Sequence, residues 1–316
     1  MKELDTLAQS AFHHLRAPDH LADDGRDLVA AEIETLVERF HRIEDFGVAP
    51  EVNAGVELAH TRGILTAASL MVNGAAVDDA VERARRLPSL RVGLHLVLVD
   101  GRPVLPRERI PDLVDARGEL RTDMLRLGLD IVLRPKVRAQ LAAEIEAQFA
   151  AFRATGLPLD HVNAHHHFHV HPTIAGLMVD IGRRYGMTAV RVPLEHASLL
   201  DRIEPLGQHG RHWIAAPWTA LLGTRLRRHG LSAPDQVVGM AWSGAMTEQR
   251  TAGVLKNLPN GITEIYFHPA TVNNFDGAAS GYRYTEELAA LIAPGIKELV
   301  RGTGARTGGF ADCAAT

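Results

Sequence analysis

The stretch Asp78-Asp-Ala-Val-Glu-Arg-Ala-Arg-Arg-Leu-Pro-Ser-Leu-Arg-Val-Gly-Leu-His-Leu-Val-Leu98 changes its periodicity once, at Pro88. Before the proline, Ala80, Val81 and Ala84 recur at spacings of three and four, which predicts a helix with one buried face. After it, Val92, Leu94, Leu96 and Leu98 alternate with Gly93, His95 and Val97, which predicts a strand with two distinct faces. Proline lacks the amide proton a helix interior needs, so it marks the boundary. The same alternation recurs along the chain. Leu65 to Val72, His161 to Ala164, Ala189 to Val192 and Thr263 to Phe267 are further strand candidates, and Lys136 to Phe152 is a helix candidate that stops at Gly156. Strands separated by helices build parallel βα units, and their number predicts an α/β fold of the (β/α) barrel type.

Two regions exceed a minimal barrel. Residues 1–40 read as polar with a helical segment near Ala31 to Phe40, where Ile33, Leu36, Val37 and Phe40 share one face; they predict an N-terminal helical arm ahead of a barrel domain at 41–312. Residues 197–244 form a long connection with Trp213, Trp218, Leu221 and Leu222 followed by Arg225, Arg227 and Arg228, and predict a helical insertion at one barrel mouth.

Composition narrows the function. The 316 residues, 46% of them hydrophobic, suffice for one large core. A formal charge of −4 with interspersed signs argues against a nucleic-acid partner. Cys313 is the single cysteine, so neither a disulfide framework nor a cysteine-based zinc site can form. The amino terminus shows no signal-peptide pattern and no run reaches the length of a spanning helix, which predicts a soluble cytoplasmic protein. The unusual feature is 17 histidines, six of them within His161 to His171.

Those histidines direct the search for chemistry. In Asp160-His-Val-Asn-Ala-His-His-His-Phe-His-Val-His-Pro172, imidazoles follow a strand-like start and precede a helix that Pro172 can open. Not all can be ligands, and His166, His167, His169 and His171 are expected in supporting, substrate-facing or structural roles. His95 faces away from the aliphatic stripe of its strand, with Gly93 leaving room beside it. Glu44-Asp45-Phe46-Gly47 sets adjacent carboxylates before a glycine, one suited to a metal and the next to the water beside it. Arg191 lies in a strand candidate and His268 ends another. Each feature alone has an ordinary structural explanation: a solvated turn, a hydrogen-bonded core histidine, a salt-bridged arginine.

Together, Glu44-Asp-Phe-Gly47, Arg62-Gly-Ile-Leu-Thr-Ala-Ala-Ser-Leu-Met-Val-Asn73, Gly93-Leu-His-Leu96, the Asp160 to His169 block and Phe267-His-Pro-Ala270 resemble the YdjC-like carbohydrate deacetylases in order and spacing, from about residue 44 to about residue 312. Val97-Leu-Val-Asp-Gly-Arg-Pro-Val104, Ile110-Pro-Asp-Leu-Val114 and the Trp-bearing insertion look most like the hopanoid-biosynthesis (HpnK-type) branch. The resemblance implies a distorted (β/α) barrel, a divalent metal (Zn or Mg) on Asp45, His95 and His165, Glu44 as general base, Arg191 as the group orienting that base, and His268 as general acid. It implies as substrate an N-acetylated sugar or a glycolipid such as an N-acetylglucosaminyl hopanoid, with peripheral membrane contact at the inner face, and leaves room for a homo-oligomer.

The family shows an aspartate where this chain has Glu44. The extra methylene shifts the carboxylate by about 1 Å, an error that can cost about a hundredfold in rate. That motivates a second reading, a catalytically weakened or inactive sugar- or lipid-binding homologue. A third is a metal-dependent hydrolase or oxygenase of other specificity, because two histidines and a carboxylate also serve non-haem iron.

Overall fold

The computed structural model describes residues 45–205 and 216–313. The expected helical arm at 1–40, Glu44 and Trp213 lie outside them.

The chain runs α1 (Pro50–Arg62), β1 (Ala67–Leu70), α2 (Val77–Arg86), β2 (Arg91–Leu96), α3 (Met124–Leu133), α4 (Pro135–Ala154) and β3 (Val162–Ala164). It continues through a 3-10 turn (His165–Val170), α5 (Pro172–Gly182), α6 (Ala197–Ile203), α7 (Ala216–Arg228), β4 (Gln236–Val238), α8 (Glu248–Lys256), β5 (Thr263–Ile265), α9 (Tyr284–Ile292), α10 (Pro294–Thr303) and α11 (Phe310–Cys313). Prolines open α1, α4, α5 and α10, at first-turn positions where the missing N–H leaves no gap in the helix.

Strands β1, β2 and β3 form a parallel sheet in that order. Phe46 extends it by a parallel bridge to Leu70, and Val190 extends the other side by a bridge to Val162, with Ala189 reaching Ser232 beyond. Strands β4 and β5 form a second parallel pair. Leu94 and Leu96 of β2 are wholly buried, and so are Gly93 and His95 on its other face, as a parallel sheet covered on both sides requires. The main core joins this sheet to α4 and α5 through Leu141, Ile145, Phe149, Ile174 and Met178.

The parallel α/β arrangement matches expectation. The ladders of the described residues form two separate sheets and do not by themselves make the closed ring of the expected distorted barrel. Three local differences are instructive. The segment Ala189 to Val192 makes isolated bridges in place of a strand. Only the first part of the His-rich block is extended, because left-handed backbone at His166 and His167 breaks the strand. The region 197–244 contains α6, α7 and also β4, so it contributes a strand to the second sheet as well as helices. Among the described residues, no helix is long and apolar enough to cross a membrane.

Candidate metal centre

His95 and His165 sit at the carboxyl ends of parallel strands, where α/β proteins gather their chemistry, and Asp45 lies beside the end of a third. His95 is the penultimate residue of β2, His165 directly follows β3, and Asp45 precedes Phe46, which bridges the last residue of β1. One donor atom from each of the three lies within 4.8 Å of the others, and all three residues are buried. Asn53 of α1 steadies the Asp45 turn, its Oδ1 accepting from the Gly47 amide at 2.7 Å and its Nδ2 donating to the Ala76 carbonyl at 3.0 Å. His95 Nδ1 is 2.8 Å from Asn163 Oδ1, an atom that can only accept, so the ring proton lies there and the Nε2 lone pair is available to the cluster. Two imidazoles and a carboxylate around one point suit Zn²⁺, and a third imidazole or an oxygen could complete the shell. The residues present fit a divalent ion.

A second set of donors shares His165. Asp100, His165 and His166 also place ligand atoms within 4.8 Å of one another, with Asp100 and His166 less buried than the first set. His166 Nε2 approaches Asp100 Oδ2 at 3.4 Å. Asp100, His166 and His167 all have positive φ, the three non-glycine residues with that conformation among those described. Such strain persists where surrounding contacts impose it and gathers at functional sites. Asp100 lies in the Val97 to Val104 stretch that carried the family resemblance, but it was not read there as a possible ligand.

The remaining histidines separate by role. His169 Nε2 is 2.9 Å from the Arg191 carbonyl, tying the turn to the neighbouring strand segment. His171 leads into α5 and packs toward Gly128 of α3, and burial pushes its pKa down. Neither belongs to a ligand set among the described residues.

On the other side of the site, Asp45, Arg191, Glu264, Tyr266 and His268 line one cavity of about 540 Å³ that continues along β1 and β5. Arg191 pairs with Glu264, its Nε lying 2.9 Å from both carboxylate oxygens and its Nη2 making a further short contact, while its expected partner Glu44 lies outside the described residues. The guanidinium also sits 5.3 Å from the centre of the Tyr266 ring. His268 is 3% exposed, edge-on to Tyr266 at 4.6 Å and to Tyr282 at 5.1 Å. Glu287, wholly buried, accepts the backbone amides of His268 and Met246, and its Oε2 is 3.9 Å from His268 Nδ1. Burial pushes the Glu287 carboxyl up to about 7, opposed by those two amides and by Arg283. Burial likewise holds the Tyr282 phenol protonated, hydrogen-bonded to Ser243 Oγ at 2.8 Å. Ser243, Tyr282 and Glu287 were not singled out by sequence reasoning, because isolated polar residues in loops and helices carry no spacing signature.

The fold and the site define an α/β protein with a buried histidine–histidine–aspartate centre at the ends of parallel strands. The chain belongs to the YdjC-like family, whose model, described as YdjC-like protein, matches residues 43–302. A carbohydrate deacetylase of Brevibacillus brevis is 30% identical over 262 residues, covering 81% of this chain and 92% of that protein. The carbohydrate deacetylase of Homo sapiens is 31% identical, covering 80% of this chain and 84% of its own length. A chitooligosaccharide deacetylase of Yersinia enterocolitica is 30% identical, with coverages of 85% and 96%. In fold, the chain is similar to the crystal structure of a provisionally described cellobiose-phosphate cleavage protein from Enterococcus faecalis, with a TM-score of 0.66 at 23% identity, covering 85% of this chain and 95% of that one.

Proposed function

We propose that this chain hydrolyses the N-acetyl group of an N-acetylated amino sugar, using a divalent ion, Zn²⁺ or Mg²⁺, held by Asp45, His95 and His165. The observation that carries the reading is the buried convergence of those three side chains beside a cavity that also presents His268. The names of the similar proteins, carbohydrate and chitooligosaccharide deacetylases, support the choice of bond and substrate class.

A bound divalent ion would polarise the acetamide carbonyl and make water a better nucleophile at neutral pH. The rest falls to the chain's own residues. Glu44, by its place next to Asp45, accepts the proton of the attacking water. The water oxygen joins the acetyl carbon, the C–N bond breaks, and His268 delivers a proton to the departing nitrogen, so that acetate and a free amine result. Glu287 lies behind His268, and the neutral phenol of Tyr282 beside it, which suits a proton donor enclosed away from bulk water. Arg191 is locked by Glu264 and shapes the cavity wall next to Tyr266.

A glycolipid substrate of the hopanoid class is the finer reading, favoured by exposed apolar side chains. Trp218 and Leu221 of α7 are half-exposed, and Leu125, Leu129, Val132 and Leu133 of α3 are more so. Both helices adjoin the His171–Pro172 junction, α3 through Gly128 and α7 through the Arg225 bond to the Pro172 carbonyl. Apolar side chains with nearby arginines suit a lipid interface.

The test is acetate release by the purified full chain from N-acetylglucosamine oligosaccharides, free and lipid-linked, before and after chelation and after return of Zn²⁺ or Mg²⁺. Release that disappears with the metal and returns with it is expected. Release that survives complete metal removal overturns the metal assignment, and binding without release under every metal supports the non-catalytic homologue. Trp218→Ala with Leu221→Ala should slow lipid-linked turnover and leave the soluble sugar unaffected; equal effects on both substrates remove the glycolipid reading.

A further inference from the structure

A row of polar side chains crosses the three-stranded sheet beneath the ligands. In the parallel register Ser69 of β1 stands beside Gly93 of β2, and Leu94 beside Val162, so Gly93 in turn stands beside His161. Glycine has no side chain, and Ser69 and His161 meet across it, Oγ to Nε2, at 2.9 Å. A Cβ added at Gly93 would lie 2.5 Å from the His161 ring. The glycine that sequence reasoning assigned to making room for His95 makes room for His161. One row higher His95 stands beside Asn163, and the two rows are joined, since Asn163 Nδ2 donates to Ser69 Oγ at 3.0 Å.

At its far end the row meets a carboxylate. His161 Nδ1 is 2.8 Å from Asp160 Oδ2, and the same carboxylate accepts the backbone amides of Phe310 at 3.0 Å and Ala311 at 3.1 Å. Burial raises the Asp160 carboxyl, but the hydrogen bonds from His161 and from these two amides outweigh it and hold the group below the usual carboxylate range. Phe310 stacks on the His161 ring at 4.4 Å, and a Cβ at Gly309 would collide with Asp160 Oδ1 and Arg91. The C-terminal segment therefore packs tightly against the Asp160–His161 end of the row.

We propose that Asp160, His161, Ser69 and Asn163 form a directional hydrogen-bond chain that positions His95, fixing its proton on Nδ1 and its Nε2 lone pair toward the ligand cluster. The direction follows from donor and acceptor chemistry. An ionised Asp160 only accepts, so His161 carries a proton on Nδ1, and in this chain its Nε2 accepts the Ser69 hydroxyl. Ser69 Oγ, having given its proton to His161, accepts from Asn163 Nδ2. That sets the amide with Oδ1 toward His95, where it accepts the Nδ1 proton. The reverse amide orientation would aim an N–H at His95 Nδ1, move the ring proton to Nε2 and block ligation there. These four are positioning residues, and partners of this kind commonly tune metal affinity by about 10- to 100-fold.

The proposal rests on the reading of His95 as a ligand, and its test separates the two. The His95 tautomer is read in the metal-free full chain by nitrogen-15 NMR, and the Zn²⁺ dissociation constant by competition with a chromophoric chelator. Wild type is expected to show Nδ1–H alone. Ser69→Ala exchanges one small side chain for another and takes the Ser69 acceptor away from the Asn163 amide; a competent fraction of about one fifth would raise Kd about fivefold. Adding Asn163→Asp to Ser69→Ala puts an acceptor-only group beside Nδ1 and should restore the Nδ1–H tautomer without the serine. An unchanged tautomer and Kd in Ser69→Ala, or a mixed tautomer in the double variant, overturns the chain. Wild type that shows Nδ1–H but takes up no Zn²⁺ supports the chain and removes the metal reading.

Discussion

The two sides of the site are built for different tasks. His95 and His165 rise from a three-stranded ladder whose central strand is buried on both faces, and His95 is braced through four residues to the C-terminal segment. His268 follows a two-stranded ladder of three-residue strands, and β5 is only half-buried because it faces the cavity. Metal ligands must hold a geometry, and a continuous ladder with satisfied polar groups supplies that rigidity. A group that hands a proton to substrate must face space the substrate can enter. The contrast separates what should fail outright from what should only slow.

The largest effect belongs to the rigid side. His165→Ala should abolish metal content and acetate release together, whereas His171→Ala should retain metal, both read by elemental analysis of the purified protein. Because His165 belongs to both donor sets, Asp45→Ala sharpens the comparison. Metal retained without Asp45 would move the ion to Asp100 and His166.

On the open side a smaller loss is expected. His268→Ala should keep its metal and lower turnover by about 10²–10⁴, the range for removing a positioned acid or base. Metal loss in that variant would make His268 a ligand and erase the division between the two sides.

The smallest effect concerns Glu287, behind His268. Its carboxyl is pushed up to about 7 in the fold against an ordinary 4.5. Below 4.5 both states are protonated and the contribution to stability is full; it is lost as pH rises through about 7, because the unfolded chain releases the proton first. Thermal unfolding should therefore fall more between about pH 5 and pH 8 in wild type than in Glu287→Gln, which stays neutral throughout. Parallel falls in the two proteins would show that His268 and its neighbours stabilise the charged carboxylate.

Much of this was legible in advance where a local rule acts. The switch at Pro88 located α2 to within a residue and β2 to within three residues of their bounds, because helix and strand periods differ and proline punctuates them. Pro172 likewise marked the start of α5. Asp45, His95 and His165 were chosen by motif, and the structure brings their donor atoms together. The alternation of His161, Asn163 and His165 on one face of β3 was present in the sequence, but its partners Ser69 and Gly93 belong to other strands.

Other features had no local signal. The pairing of Arg191 with Glu264 joins residues 73 positions apart, and Glu287 reaches His268 from α9. β4 is three residues long inside a region that reads as an insertion, too short for its period to show. What the sequence by itself determined was most of the alternation of helix and strand and the choice of Asp45, His95 and His165 as candidate ligands, since both depend on residue type and short spacing. Tertiary structure decided that Glu264 meets Arg191, which glycine admits which histidine, and which nitrogen of His95 faces the ligands. Those outcomes depend on the register between strands far apart in the chain, and no single strand contains that register.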